Sequence, residues 1–340
     1  MENYVIPRLN ATDEEIAVPK VSMSPSAYIL ANFGGPRHAE ELESFLTSLL
    51  TDRDVTGNFL PDFLHKKLFS FIAKKRVSKV LPQYLSLKNW SPIYQDTENL
   101  AQALHGLLKA PVIPFHRYLP ATHHTTLEAL HTLQPRSIIG VPLFPHFTYA
   151  MTGSISRFFT LHAPQYNILW ISQFGSHDAF ISCMEAHVNS FLDMQGIPEE
   201  SCCFLFSVHG LPKRMVSQGD PYQKQCEHSF SLLSSRFPKA ESILCYQSKF
   251  GFGKWLSPLL KTLSYELKSQ KPYVLILPFG FVSDHLETLY EIEHEYLPIL
   301  KSRGYKALRL PAIYNASSWP RTLAQIISSS FPSESELLIK

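Results

Sequence analysis

Eight short apolar runs along the chain each end in a polar or glycine-bearing loop and are followed by a helical pattern. They are "AYILANFGGP", "PVIPFHRYLP", "SIIGVPLFPHF", "NILWISQFGSH", "CCFLFSVHGLP", "SILCYQSKFG", "YVLILPFGFVSDH" and "ALRLPAIYN". Continuous apolar runs alternating with helices predict strands buried on both faces of parallel sheets, so the class is α/β. At 340 residues the chain exceeds the size at which one core keeps growing, and two domains are expected. Eight strands divide into two sheets of about four, with a boundary near residues 150 to 165, where a helix gives way to "HAPQYN". This predicts a loose tail over 1–25, a first domain over 26–158, a second over 159–316, and a closing helix and tail over 317–340. The helix is "SWPRTLAQIISSSF", with Pro320 in its first turn.

One predicted helix has an unusual polar face. In "FVSDHLETLYEIEHEY" (281–296), a turn of about 100° per residue puts Glu287, Glu291 and Glu295 in one stripe. Leu286, Leu289, Ile292, Tyr296 and Leu297 fall on the other side. Asp284 followed three residues later by Glu287 matches a capping box, which accounts for two acids. Glu291 and Glu295 lie too far along to cap, and each like-charged neighbour costs a few tenths of a kcal/mol. A solvated face would mix in lysines, yet Lys301 is the first basic residue after His294. The sharper expectation is a row of oxygen ligands for a cation in transit. Glu293 falls amid the apolar face without a role, and Pro298 stands where a zinc-protease helix needs its second histidine.

In open parallel sheets, ligands bind outside the carboxyl ends of the strands. That rule selects Asn32, Phe33 and Gly34; His116, Arg117 and Tyr118; His146; His209; Gln247, Ser248 and Lys249; and Ser283, Asp284 and His285. His209 follows "CFLFSV" and precedes Gly210 and Pro212, a loop setting that favours a binding or catalytic imidazole over a core one. "NFGGPR" lacks both the dinucleotide glycine spacing and a P-loop lysine.

Charge and cysteine usage narrow the classes further. With 31 basic and 29 acidic residues there is no global field to attract nucleic acid. The five cysteines, Cys183, Cys202, Cys203, Cys226 and Cys245, form no CxxC pair, so neither a zinc ribbon nor a disulfide framework is indicated and a reducing cytoplasm fits. The N-terminus lacks the basic start and apolar run of a secretory signal, and no apolar stretch approaches the ~18 residues needed to span a bilayer. Over residues 59–76, Leu60, Phe63, Leu64, Leu68, Phe71 and Ile72 share a helical face beside Lys66, Lys67, Lys74, Lys75 and Arg76. Base rates favour a helix packed on its own domain. The same pattern is compatible with peripheral contact with the inner face of an anionic membrane.

Three long motifs, "SVHGLPKRMVSQGDPYQKQC", "CYQSKFGFGKWLSPL" and "LPFGFVSDHLETLYEIEHEY", closely resemble ferrochelatase, the iron-inserting enzyme of haem synthesis. "ILANFGGP", "SPIYQDT", "FHRYLP" and "MTGSISR" resemble its amino-terminal half, so the likeness runs from residue 27 to 320. The resemblance implies two Rossmann-like domains, each a parallel sheet flanked by helices, facing across a porphyrin cleft. It also implies no organic cofactor, with Fe2+ and protoporphyrin IX as substrates. His209 and Glu287 are the implied pair at the reaction centre, in metal binding and pyrrole proton removal, with Glu291 and Glu295 extending the carboxylate line. Phe33, Tyr118 and Trp255 are the candidate walls, His285 lies beside the porphyrin, and Arg117, Lys249 and Arg76 are candidate partners of the propionates. Some ferrochelatases hold a two-iron cluster on cysteines near the carboxyl terminus. This chain has none after Cys245, so no iron–sulfur cluster is expected. Relatives acting on coproporphyrin carry tyrosine where this chain has Phe33, which points to protoporphyrin IX. The alternatives are a chelatase for coproporphyrin III or a corrinoid precursor, and a non-enzymatic tetrapyrrole or metal carrier.

Overall fold

The computed structural model describes residues 25–57, 60–87, 90–249 and 253–339. The expected tail over 1–25 therefore lies, save for its last residue, outside the described residues, as does Phe59 of the amphipathic stretch. All eight apolar runs are strands. β1 (Ala27–Asn32), β2 (Val112–His116), β3 (Ile138–Pro142) and β4 (Ile168–Trp170) form a parallel sheet in the order β2-β1-β3-β4. β5 (Cys202–His209), β6 (Glu241–Gln247), β7 (Tyr273–Pro278) and β8 (Lys306–Arg309) form a second, in the order β6-β5-β7-β8. Every residue of β1 and the first seven of β5 are buried, as strands covered by helices on both faces require. Each sheet reverses its order beside its first strand, which opens a crevice at the carboxyl ends of β1 and β5.

The domain boundary at 158/159 is corrected by the strand pairing. β4 lies beyond it and pairs with β3, Ile138 opposite Ile168 and Gly140 opposite Trp170. "HAPQYN" is thus a turn within the first sheet, and the crossing falls after Trp170. Gly140 admits the Trp170 ring, since a Cβ there would lie 2.1 Å from Cε3. The closing helix Trp319–Ser329 returns toward the first half, and β9 (Ser333–Glu334) adds an antiparallel edge to β4. Leu30, Leu104, Phe180, Phe206 and Trp319 belong to one buried cluster, so the halves share a core and no polar linker marks their border.

Two helices differ from the expected pattern. In Asp62–Ser86 the buried positions are His65, Phe69, Ala73, Val80 and Tyr84, packed against Leu42, Phe45, Leu46 and Leu50. Phe63 (69% exposed), Leu64, Leu68 and Phe71 (56% exposed) face outward, so of the stripe expected to pack on its own domain these four do not, while Ile72 packs against that cluster. The stretch 287–296 winds as a π-helix, Glu287–Tyr296, before continuing as the α-helix Leu297–Ser302. Its apolar residues split between two cores. Ile292, Tyr296 and Leu297 join Leu205 and Ile276, while Leu286, Leu289 and Tyr290 pack on the helices of the first half. Insertions of i→i+5 winding of this kind concentrate at functional sites.

Candidate active site

A cavity of about 1100 Å³ opens between the two halves. Phe33, Val55, Phe69 and Met151 line it from the first half; His209, Trp255, His285, Glu287 and Glu291 line it from the second.

His209 ends β5 where the backbone is tightly held. Tyr222 donates its hydroxyl to the His209 carbonyl at 3.0 Å. A Cβ on Gly210 would lie 2.8 Å from the Gln247 carbonyl and 3.2 Å from the Trp255 ring, so only glycine allows this approach. Nδ1 of His209 lies 2.9 Å from Oε2 of Glu287, and Nε2 of His285 lies 3.6 Å from the same oxygen. Beneath them Gln247 donates to the Glu287 carbonyl at 3.2 Å and accepts from Ser207 at 2.6 Å. An ionised carboxylate only accepts, so Nδ1 carries the proton and Nε2 of His209 presents the lone pair.

The electrostatics divide the groups by role. Burial opposes charge on His209, but the field and hydrogen bond of Glu287, with the field of Glu291, outweigh it and raise the imidazole above its ordinary value. Burial likewise opposes charge on Glu287, yet His209 and then His285 hold it well below the usual carboxylate range. Glu291 is the reverse case. Burial and the adjacent Glu287 charge push it up to about 7, although Ser248 donates to it at 2.7 Å. Neighbouring carboxyls forced apart in this way give one group that stays ionised and one that exchanges protons near neutrality.

The remaining expected residues fall into three groups. Phe33, Lys249, Trp255, His285 and Arg76 line the cavity, as do Glu287 and Glu291 of the acidic row. Glu295 is exposed and outside the lining, so the row runs from the cavity to the surface. Arg117 and Tyr118 are placed behind the wall, which corrects their expected contact with porphyrin. Arg117 pairs with Asp52 at 2.9 Å and lies over the Tyr118 ring. Tyr118 is fully buried, packs edge-on against Phe33 at 4.9 Å and donates to the same Asp52 oxygen. A buried carboxylate holds such donors because leaving it unpaired is costly.

The capping role expected of Asp284 is also corrected. It accepts instead from Thr288, Arg309, Ala312 and Asn315, joining the start of the π-helix to the segment after β8. Arg309 also pairs with Glu293 at 2.8 Å, which gives that carboxylate its place.

Sequence reasoning gave no distinct role to Ser248, which holds Glu291, or to Arg214, whose guanidinium crosses the cavity to the Thr56 carbonyl at 3.0 Å. His146, selected only by the strand-end rule, is buried in the lining, and burial lowers it to about 3. Asp52 was not singled out, because its side-chain partners beyond the local Asp54 amide lie 65 to 102 residues away.

Comparison with known proteins identifies the family. The ferrochelatase family model matches residues 25–331. Relatives named ferrochelatase include one from Chlamydia pneumoniae, 62% identical over 94% of this chain and 97% of its own length. Another, from Chlamydia trachomatis serovar D, is 54% identical over 91% of this chain and 97% of its own. Among solved structures, SirB from Bacillus subtilis with Fe3+ superposes with a TM-score of 0.56 at 14% identity, covering 89% of this chain and 94% of that one. CbiX, described as the terminal enzyme for biosynthesis of siroheme in denitrifying bacteria, gives 0.50 at 17% identity, covering 90% and 99%. At those identities the two structures speak for the shared fold. With matches extending through nearly every element that builds the cavity, the chain belongs to the ferrochelatase family.

Proposed function

We propose that the chain inserts Fe2+ into protoporphyrin IX, with the His209–Glu287 pair removing the pyrrole protons one after the other through His209 and passing the metal. That it is an enzyme inserting iron into a porphyrin follows from its family; the ring and the residue roles are the proposal. The observation that carries it is the 2.9 Å His209–Glu287 pair facing a cavity of about 1100 Å³, slightly larger than most small-molecule sites. A free porphyrin must bend to expose its nitrogen lone pairs and must lose two N–H protons as the divalent ion enters. His209 Nε2 accepts a proton, and the ionised Glu287 stabilises the imidazolium that results. Glu291, balanced near neutrality, relays protons toward Glu295 and solvent. Imidazole and carboxylate suit Fe2+ without the grip of a thiolate cage, so the ion can be released into the ring.

Protoporphyrin IX is favoured because Phe33 offers the wall a ring without a hydroxyl. The scheme calls on neither an iron–sulfur cluster nor an organic cofactor. Anaerobic mixing of protein, Fe2+ and protoporphyrin should give many turnovers per chain. Saturation at one equivalent would favour a carrier, and much faster metallation of coproporphyrin III would reverse the choice of ring.

A second proposal concerns the helix Asp62–Ser86. Among the described residues no helix is long and apolar enough to cross a membrane. The outward Phe63, Leu64, Leu68 and Phe71 lie beside Lys66, Lys67, Lys74 and Lys75, a pairing suited to peripheral contact of a cytoplasmic protein with an anionic bilayer. Flotation with liposomes containing anionic lipid, and none with neutral liposomes, is the expected result.

A further inference from the structure

We infer that Asp52 is a positioning residue that stiffens the cavity wall facing His209 and Glu287, and that Arg117 and Tyr118 serve the reaction through it. The side chain of Asp52 is 6% exposed and does not line the cavity. One carboxylate oxygen accepts from the Asp54 amide at 2.9 Å, as a cap for the short helix Arg53–Thr56 requires. A cap needs nothing more, yet the other oxygen takes three donors from two distant segments. They are Arg117 Nη2 and Tyr118 OH, each at 2.9 Å, and Ser154 Oγ at 2.5 Å.

Each segment tied to this carboxylate carries wall residues. Val55 and Thr56 follow Asp52 itself, Ala150 and Met151 sit in the π-helical turn Tyr149–Gly153 before Ser154, and Tyr118 backs Phe33. The Asp52 segment also meets the opposite half, where Arg214 donates to the Thr56 carbonyl, and a Cβ on Gly57 would lie 2.5 Å from that guanidinium. A wall that bends a flat macrocycle has to resist the macrocycle's recoil. Three segments joined at one buried carboxylate provide that resistance, and single packing contacts would not. The inference rests on the porphyrin reading of the cavity.

The test compares Asp52→Asn and Tyr118→Phe with wild type. Metal-free affinities are measured for a planar porphyrin and for an N-alkylated porphyrin, whose macrocycle is bent by crowding. kcat and KM are measured with Zn2+ as an air-stable ion. We expect wild type to prefer the bent ring, and both variants to lose about tenfold of that preference and about tenfold in kcat with porphyrin KM changed less than about twofold, because the lost interaction acts on the bent state. If Asp52→Asn does not fold because Arg117 is left unpaired, Tyr118→Phe, which strands no charge, decides alone. An unchanged bent-to-planar ratio in a folded variant would overturn the inference, as would wild type with no such preference. Failure of the functional reading shows separately, as absence of wild-type turnover, since the affinities need no metal.

Discussion

Replacing Glu287 with Gln keeps the shape of the site and removes its fixed charge. In wild type the carboxylate holds Nδ1 of His209 at 2.9 Å and lies 3.6 Å from His285, so it stabilises the imidazolium formed when Nε2 takes a pyrrole proton. Hydrogen bonds to charged groups contribute about 1.5–3 kcal/mol. The His209 side chain is 41% exposed and water screens part of the effect, so the lower end applies. About 1.4 kcal/mol corresponds to tenfold in rate, so weakened proton acceptance alone costs about tenfold. Loss of the fixed charge that attracts the incoming divalent ion contributes a comparable factor and brings the fall in kcat to ~10²-fold. Initial rates of anaerobic Fe2+ insertion across pH are the assay. The neutral imidazole is the active form and Glu287 raises its pKa, so the wild-type acid limb lies above about 6.5 and shifts to lower pH in the variant. The deficit should therefore shrink as pH falls. Wild-type rates, or an acid limb that stays in place, would refute the reasoning.

Three other outcomes are expected. His209→Ala should abolish insertion while leaving the thermal unfolding midpoint within a few degrees of wild type, because the ring is partly exposed and packs little core; turnover at the wild-type rate would remove it from the centre. Glu291→Gln should stabilise the protein much more at pH 8 than at pH 5, while slowing insertion less than Glu287→Gln does. A carboxyl whose folded pKa is raised to about 7 disfavours the fold as pH climbs above its unfolded value of about 4.3, and the amide removes that penalty. Equal shifts in midpoint at both pH values would contradict this. Phe63→Ser with Phe71→Ser should abolish flotation with anionic liposomes and leave insertion in free solution unaltered, since both side chains face away from the cavity.

Much of the fold was legible because its signals are local. Continuous burial of β1 and β5 needs runs such as "AYILAN" and "CCFLFSV", and a run of that kind shows in the sequence whatever it later packs against. The proposed centre was legible in part. His209 was singled out by its strand-end loop and Glu287 by an acidic row without lysines, while their pairing came from resemblance of the long stretches that carry them.

What the chain itself determined is therefore the class, the eight strands, the family and the candidacy of His209 and Glu287. Only the tertiary structure decided where the halves divide, because "HAPQYN" looks the same whether it links domains or turns within a sheet; pairing of β4 with β3 resolves it. The same holds for the outward face of Asp62–Ser86, since an apolar stripe does not say which side of a helix meets the core. Arg117 and Tyr118 are the sharpest case. Their residue types suit substrate contact, but a buried carboxylate 65 and 66 residues away claims both, and periodicity cannot report a partner so distant along the chain. Pairings of that kind arise from the desolvation cost of a buried charge, which exists only once the surrounding segments have packed.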